Sequence, residues 1–354
     1  ELEKKVVELD DQSKHLEAIR VSHRMLQAAN DEFGRESEEY RVVLYNLGVY
    51  YRLTNQLNQA QTYYEKAAEA YLTIYDQPPE MPDGGFPPNR RRFYSYEDCL
   101  IELAKTYKSM GDSQKAEELY LKVLDLSQDR RWDVIYWQHL EKTADFYIEQ
   151  DRYAEGIKYL EKSLALVKEY QWEDSYRYNS RAVSVGYVYY RIGQYNKALA
   201  LFEQAVTYFE TENRDGTKIA SNWPIDNLEL LSGLGLVHDA LGNHRTALDY
   251  YDQFLAFTRQ EYGPESYYLA YGYLNKATVF ESLEEYDKQV DYLNRAEKIV
   301  QNSSDDPNDS LYRNIYGSMG RAYGLKEEYN ESLEYLKKAV ELARTNFGDQ
   351  SFEY

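Results

Sequence analysis

Side chains that could do covalent or metal chemistry are few and scattered. Histidine occurs at His15, His23, His139, His238 and His244, and no two share a helix at a spacing that closes on a metal with a third ligand nearby. His238 stands where Tyr or Phe stands in equivalent stretches, which marks it as a core histidine. Cys99 is the one cysteine and has no adjacent histidine or basic residue, so it reads as a buried thiol and not a nucleophile. Gly233-Leu234-Gly235 followed by Gly242 has the outline of a glycine-rich nucleotide loop, but no strand precedes it, and helix packing accounts for its glycines. The sequence carries no Walker loop, nucleophile elbow or zinc-protease motif. The acid pairs Glu284-Glu285 and Asp305-Asp306 fall in turns and read as solvated. The expectation is a protein that is not an enzyme and takes neither cofactor nor metal.

Recognition is the other chemistry on offer. Arg90, Arg91 and Arg92 are the one dense basic run; it could dock an acidic surface or phosphate, and reads first as a solvated loop offsetting local acidity. Asn302, Asn308 and Asn330 open Asn-x-Ser triplets, which matter only in a secreted chain. Lys and Arg number 41 against 61 Asp and Glu, a net charge of −20. That charge repels nucleic acid and anionic lipid and favours solubility or a basic partner. A single cysteine cannot form an internal disulfide and fits a reducing, cytoplasmic setting. No apolar run reaches bilayer length, and the opening ELEKKVVELDD is no signal peptide. The missing initiator Met suggests a processed or excised product.

The elements that would position such residues are read most clearly from Asn179 to Phe209. Small residues at Gly186, Ala198 and Ala205 and large ones at Val185, Tyr189 and Phe202 form two apolar stripes of helical period, interrupted at Gly193. This is a helix, a turn and a second helix, with close approach at the small positions. The pattern recurs at Leu47, Gly48, Tyr51, Ala60, Tyr64 and Ala67; at Leu103, Ala104, Tyr107, Gly111, Ala116 and Tyr120; and at Ala144, Tyr147, Gly156, Leu160 and Ser163. It returns at Leu234, Gly235, Gly242, Ala247, Tyr251 and Phe254; at Ala277, Phe280, Leu293 and Ala296; and at Gly320, Tyr323, Ser332, Leu336 and Ala339. The first small position falls at 48, 104, 144, 186, 235, 277 and 320, and most intervals are near 42.

The expected organisation is one array over 1–354. A partial repeat occupies 1–34, with Leu16, Ile19, Met25 and Leu26 on the buried side of its second helix, and clear repeats occupy 35–75, 94–129, 130–170, 171–209, 228–262, 263–301 and 307–346. A Pro/Gly/Arg-rich loop fills 76–93, a second loop fills 210–227, and 347–354 starts a further, truncated repeat, which suggests that the native chain continues. With 43% apolar residues and 39 tyrosines, the chain has ample material for helix interfaces that are apolar inside and wet at the rim.

These residues resemble the tetratricopeptide repeat, and the long period with the connections EFGRESEEY, EYGPESYYLA and NFGDQSFEY resembles the kinesin-light-chain type. Gln289 departs from the pattern by replacing a small residue, and Pro264-Glu-Ser-Tyr267 departs from the usual His-Pro in the connection. The resemblance implies an all-α, right-handed superhelical solenoid of antiparallel helix pairs, with the first helix of each pair lining a concave groove. On that geometry the groove residues are Tyr45, Asn46, Arg52, Lys105, Lys142, Tyr187, Tyr190, Arg191, Asn275, Asn314 and Arg321. Asn46, Lys105 and Lys142 are loosely similar to a carboxylate clamp, and Tyr187, Tyr190 and Arg191 could stack on a ligand side chain and accept its charge.

The leading functional expectation is a scaffold that binds a peptide or protein segment in this groove. Repeats of this kind also look like the N-terminal regulatory or sensor regions of caspase-like proteases, signalling ATPases, kinases and transcription regulators. Helical-repeat RNA binding is a third possibility, which the net charge of −20 opposes.

Overall fold

The computed structural model describes residues 2–75, 96–128, 134–169, 176–214, 224–302 and 309–347. Among them the chain forms sixteen α-helices and no strand. They are α1 (Leu2–Asp11), α2 (His15–Phe33), α3 (Glu38–Leu53), α4 (Leu57–Tyr75), α5 (Tyr96–Ser109), α6 (Ser113–Ser127), α7 (Val134–Ile148) and α8 (Tyr153–Glu169), then α9 (Tyr176–Arg191), α10 (Tyr195–Arg214), α11 (Pro224–Ala240), α12 (His244–Tyr262), α13 (Tyr268–Ser282), α14 (Tyr286–Asn302), α15 (Asp309–Leu325) and α16 (Tyr329–Phe347). The chain divides into two compact units, Glu1–Leu166 and Val167–Tyr354. In each, successive helices pack on one another, and odd-numbered helices also meet: α3 with α5 in the first unit, and α9 with α11, α11 with α13 and α13 with α15 in the second.

Each pair is held by a small residue on its first helix and a large one sixteen residues later on its second. Gly48 and Tyr64, Ala104 and Tyr120, Ala144 and Leu160, Gly186 and Phe202, Gly235 and Tyr251, and Ala277 and Leu293 are all buried. The approach is close: a methyl group on Gly186 would come 2.6 Å from the Phe202 ring, and one on Gly235 would come 2.5 Å from Tyr251. Burying each large side chain contributes roughly 2–3 kcal/mol, so the repeated pair is the main apolar bond of the array.

The turn between the two helices repeats as well. Seven residues after each first small residue the backbone is left-handed, at Asn55, Gly111, Asp151, Gly193, Gly242, Glu284 and Glu327, with φ between 58° and 83°. The next N–H then donates five residues back, Gln56 to Tyr51 O at 2.8 Å, Gln194 to Tyr189 O at 2.8 Å and Glu328 to Tyr323 O at 2.9 Å, which occupies carbonyls that the helix end leaves bare. The turn from α1 to α2 has the same form, with Ser13 at φ 55° and Lys14 N donating to Leu9 O at 2.8 Å.

A third repeated contact clamps each pair beside this turn. Tyr51 and Tyr63, Tyr147 and Tyr159, His238 and Tyr250, Phe280 and Tyr292, and Tyr323 and Tyr335 are stacked, each pair twelve residues apart, with ring centroids 5.2–5.5 Å apart. His238 therefore lies half-buried in a stack near the turn and not in the sealed core that its sequence position suggested. Burial pushes its imidazole below the usual histidine range, with Glu203 opposing the fall.

Two further expectations change. Leu16 is 61% exposed, because the buried stripe of α2 runs through Ala18, Ile19, Ser22 and Ala29. Helices α10 and α11 reach into 210–227, since the polar run after Phe209 continues the helix to Arg214 and Pro224 is tolerated at a helix start, where its missing N–H would be unpaired anyway. The loop at 76–93 with Arg90, Arg91 and Arg92, the acid pair Asp305-Asp306, the triplet at Asn308 and residues 348–354 lie outside the described residues.

Candidate peptide-binding face

The first-helix face of the Glu1–Leu166 unit carries a charged centre. Arg52 comes from the end of α3, Glu102 and Lys105 from one turn of α5, and Lys142 from the middle of α7. Arg52 Nη2 lies 3.1 Å from Glu102 Oε2, and Lys105 Nζ lies 2.6 Å from Glu102 Oε1. Glu102 is only 9% exposed, and its two oxygens are held between a cation of its own helix and one of α3. Lys142 is half-buried and forms no ion pair or hydrogen bond among the described residues. Burial pushes its ammonium below the usual lysine range; Lys105 adds to the fall, and Asp98 and Glu102 oppose it. Further along, Lys108 pairs with Glu149 across the same two repeats. Asn46 is half-buried on α3. Tyr45 is a core residue, 8% exposed and edge-on to Tyr64 at 5.6 Å.

In the Val167–Tyr354 unit the corresponding face is cross-linked by its own polar groups. Tyr187 Oη donates to the Glu229 carbonyl at 2.6 Å, and Asn275 Nδ2 donates to Ser232 Oγ at 3.1 Å. Ser282 Oγ donates to Asp239 Oδ2 at 3.1 Å. These links join residues 42 or 43 apart, so the sequence period reappears as a ladder of hydrogen bonds between first helices. Tyr187 also packs edge-on against Phe202 at 5.5 Å, and burial pushes its hydroxyl above the usual tyrosine range. Tyr190 is half-buried, 5.7 Å from Tyr195, while Arg191 and Asn314 are exposed. Arg321 is exposed, donates to Ser318 Oγ at 3.3 Å and stands 4.0 Å from Glu281.

Asp239, His244 and Ser282 bring three residue types of hydrolytic chemistry together, in an arrangement that does not activate a nucleophile. His244 Nδ1 meets Asp239 Oδ1 at 2.7 Å while Ser282 donates to the same carboxylate, so no imidazole stands against the serine hydroxyl. Cys99 is fully buried, and burial pushes its thiol far above the usual range, which suppresses the thiolate. Gln289 fills a small-residue position and is 1% exposed, donating its amide to Glu281 Oε2 at 2.6 Å. Among the described residues no cluster of three His, Cys, Asp or Glu is placed to hold a metal ion. No described helix is long and apolar enough to cross a membrane.

The structure thus brings Arg52, Lys105 and Lys142 together and assigns Tyr45, Tyr187 and Asn275 to contacts within the fold. Asp98, Ser232, Glu281 and Ser282 belong to the same faces and were not singled out from sequence. Their signal was available, since Glu281 and Ser282 occupy the same places after Ala277 that Tyr190 and Arg191 occupy after Gly186.

Comparison with known proteins follows this geometry. A tetratricopeptide repeat family model matches residues 9–73, 139–211 and 226–302, and two further tetratricopeptide repeat models match 100–131 and 314–346. The chain belongs to the tetratricopeptide repeat family. Among solved structures it is similar to BtubC (BKLC) from P. vanneervenii, at 17% identity and a TM-score of 0.52 over 71% of this chain and 95% of that one. It is also similar to the apo form of RapI, at 15% identity and 0.55 over 86% and 97%, and to aspartyl phosphate phosphatase F from Bacillus subtilis, at 13% and 0.56 over 94% and 77%. At these identities the likeness is one of fold. No curated protein matches the chain.

Proposed function

We propose that the chain is a protein–protein interaction scaffold, and that the first-helix face of its Glu1–Leu166 unit receives an acidic side chain or carboxylate of an extended partner segment. The observation that carries this reading is Lys142: a half-buried ammonium in no ion pair or hydrogen bond among the described residues, beside Lys105, with Asp98 near it and Glu102 already shared by two cations. A desolvated charge without a partner is costly, and a ligand carboxylate set against it relieves that cost in a way that water at an exposed lysine does not. The net charge of −20 opposes an acidic ligand at long range, but screening confines that effect to roughly 8–10 Å at ordinary ionic strength, and the contact itself is decided by the local cations. Asn46, with both donor and acceptor on its amide, suits the backbone of such a segment.

An array of nonapeptides carrying Glu or, in matched copies, Gln tests the reading. Glu peptides are expected to bind and their Gln copies to lose about tenfold or more, with Lys142→Met erasing the difference. Tyr187→Phe, which alters the other unit's face, is expected to leave peptide affinity unchanged. Equal binding of Glu and Gln peptides would count against the proposal.

A further inference from the structure

The place four residues after each first small one carries opposite charges in the two units. In the Glu1–Leu166 unit it holds Arg52 on α3 and Lys108 on α5, and in the Val167–Tyr354 unit it holds Asp239 on α11 and Glu281 on α13. The other repeats leave it uncharged, at Ile148, Tyr190 and Gly324. All four charged residues are the last but one of their helices. The helix dipole is negative there, so cations suit the place and acids work against it. Departures from a local rule of this kind gather at functional sites. The pairing differs as well: Arg52 and Lys108 are neutralised by Glu102 and Glu149 of the next repeat. Asp239 instead meets His244 Nδ1 at 2.7 Å and accepts from Ser282 Oγ at 3.1 Å, and Glu281 Oε2 accepts from Gln289 Nε2 at 2.6 Å.

Gln289 adds a bare acceptor at the same spot. Six other repeats place Ala, Gly or Ser in its position, yet Gln289 is 1% exposed, and its Oε1 is buried with no hydrogen-bond partner among the described residues. The amide is planar, so this oxygen lies beside the Glu281 carboxylate that the amide nitrogen holds. Arg321 stands 4.0 Å from Glu281, beyond hydrogen-bond reach, and turns its Nη2 to Ser318 Oγ at 3.3 Å. A negative helix end, a carboxylate held by a neutral amide and an acceptor without a donor all call for a ligand that brings N–H groups and positive charge.

We propose that the first-helix face of the Val167–Tyr354 unit receives a lysine or arginine side chain of a partner protein at Glu281. Gln289 fixes the carboxylate, and Asp239 adds attraction from α11, which packs against α13. The net charge of −20 draws a basic segment towards the chain, and the local carboxylates decide where it seats. This site is opposite in sign to the one around Lys142 and does not depend on it.

Fluorescence anisotropy on the full chain tests this with a library of nonapeptides that carry one central Lys or Arg, and matched copies that carry norleucine or citrulline. Basic peptides are expected to bind and their neutral copies to lose about tenfold or more. Glu281→Gln is expected to erase that difference without lowering the melting temperature, because its amide oxygen still accepts from Gln289 and an acid leaves a negative helix end. Glu265→Gln, at an exposed acid in the connection before α13, removes the same charge and is expected to keep the difference. Neutral copies that bind as well as basic ones overturn the proposal, and so does a folded Glu281→Gln chain that keeps the preference. An equal loss in Glu265→Gln reduces the effect to net charge and overturns it too.

Discussion

Phe202 offers the most demanding test of how this array is packed. Its ring is fully buried and lies between two glycines: a methyl group on Gly186 would come 2.6 Å from Cε1, and one on Gly233 would come 2.5 Å from Cζ. Gly186→Ala therefore has no relaxation open to it by a simple shift of the ring, and an overpacked core of this kind costs about 2–3 kcal/mol. Phe202→Leu alone removes ring atoms and leaves a void, costing about 1–2 kcal/mol. The two together recreate a pair that the chain already uses, since Ala144 with Leu160 and Ala277 with Leu293 occupy the same two places and are buried. The double variant should then cost no more than Phe202→Leu, a favourable coupling of about 2 kcal/mol between the sites.

The readout should be local, because long repeat arrays need not unfold in one step. Hydrogen exchange followed by mass spectrometry on peptides of α9 and α10 reports the opening free energy of that pair directly. If the two single costs add to within about 0.5 kcal/mol, the sixteen-residue small–large pair is not the unit of packing, and the reasoning fails.

Two other outcomes follow from the turn and the stacked pairs. Gly193 has φ +74° and open space around its Cα, so Gly193→Ala should cost about 1–2 kcal/mol from backbone alone, while Glu327→Gly, at φ 61°, should be neutral or up to about 1 kcal/mol stabilising in the same exchange measurement. The His238 imidazole is held below its usual range by burial, so above about pH 6.5 it is neutral in both folded and unfolded chains. As pH falls below that value the unfolded chain takes up a proton that the folded one resists, so protection in α11 and α12, taken relative to intrinsic exchange at each pH, should fall towards pH 5, more in wild type than in His238→Phe, which copies Phe280. An identical pH response in the two chains would remove His238 as its cause.

The fold was legible in the sequence because its determinants are short-range and repeated. A small residue, a left-handed residue seven places on and a large residue sixteen places on lie within one helix pair, so each copy confirms the last. The faces were legible only in part. Helical periodicity selects which residues point to the first-helix side, and it selected Arg52, Lys105, Lys142, Tyr187 and Asn275 together. What separates them is a neighbour about 42 residues away: Tyr187 finds the Glu229 carbonyl and Asn275 finds Ser232, whereas Lys142 forms no such bond and has Asp98, Lys105 and an acid already taken around it. Pairing of that kind depends on the register between repeats, which varies where the interval departs from 42, as it does between Gly48 and Ala104. The residue types alone favoured the tyrosine pair, since an aromatic pair beside an arginine reads as a ready binding surface. The proposed site reverses that order, because a polar group whose partner lies inside the fold has little left to offer a ligand, and a partly desolvated cation outside any ion pair has the most to gain from one.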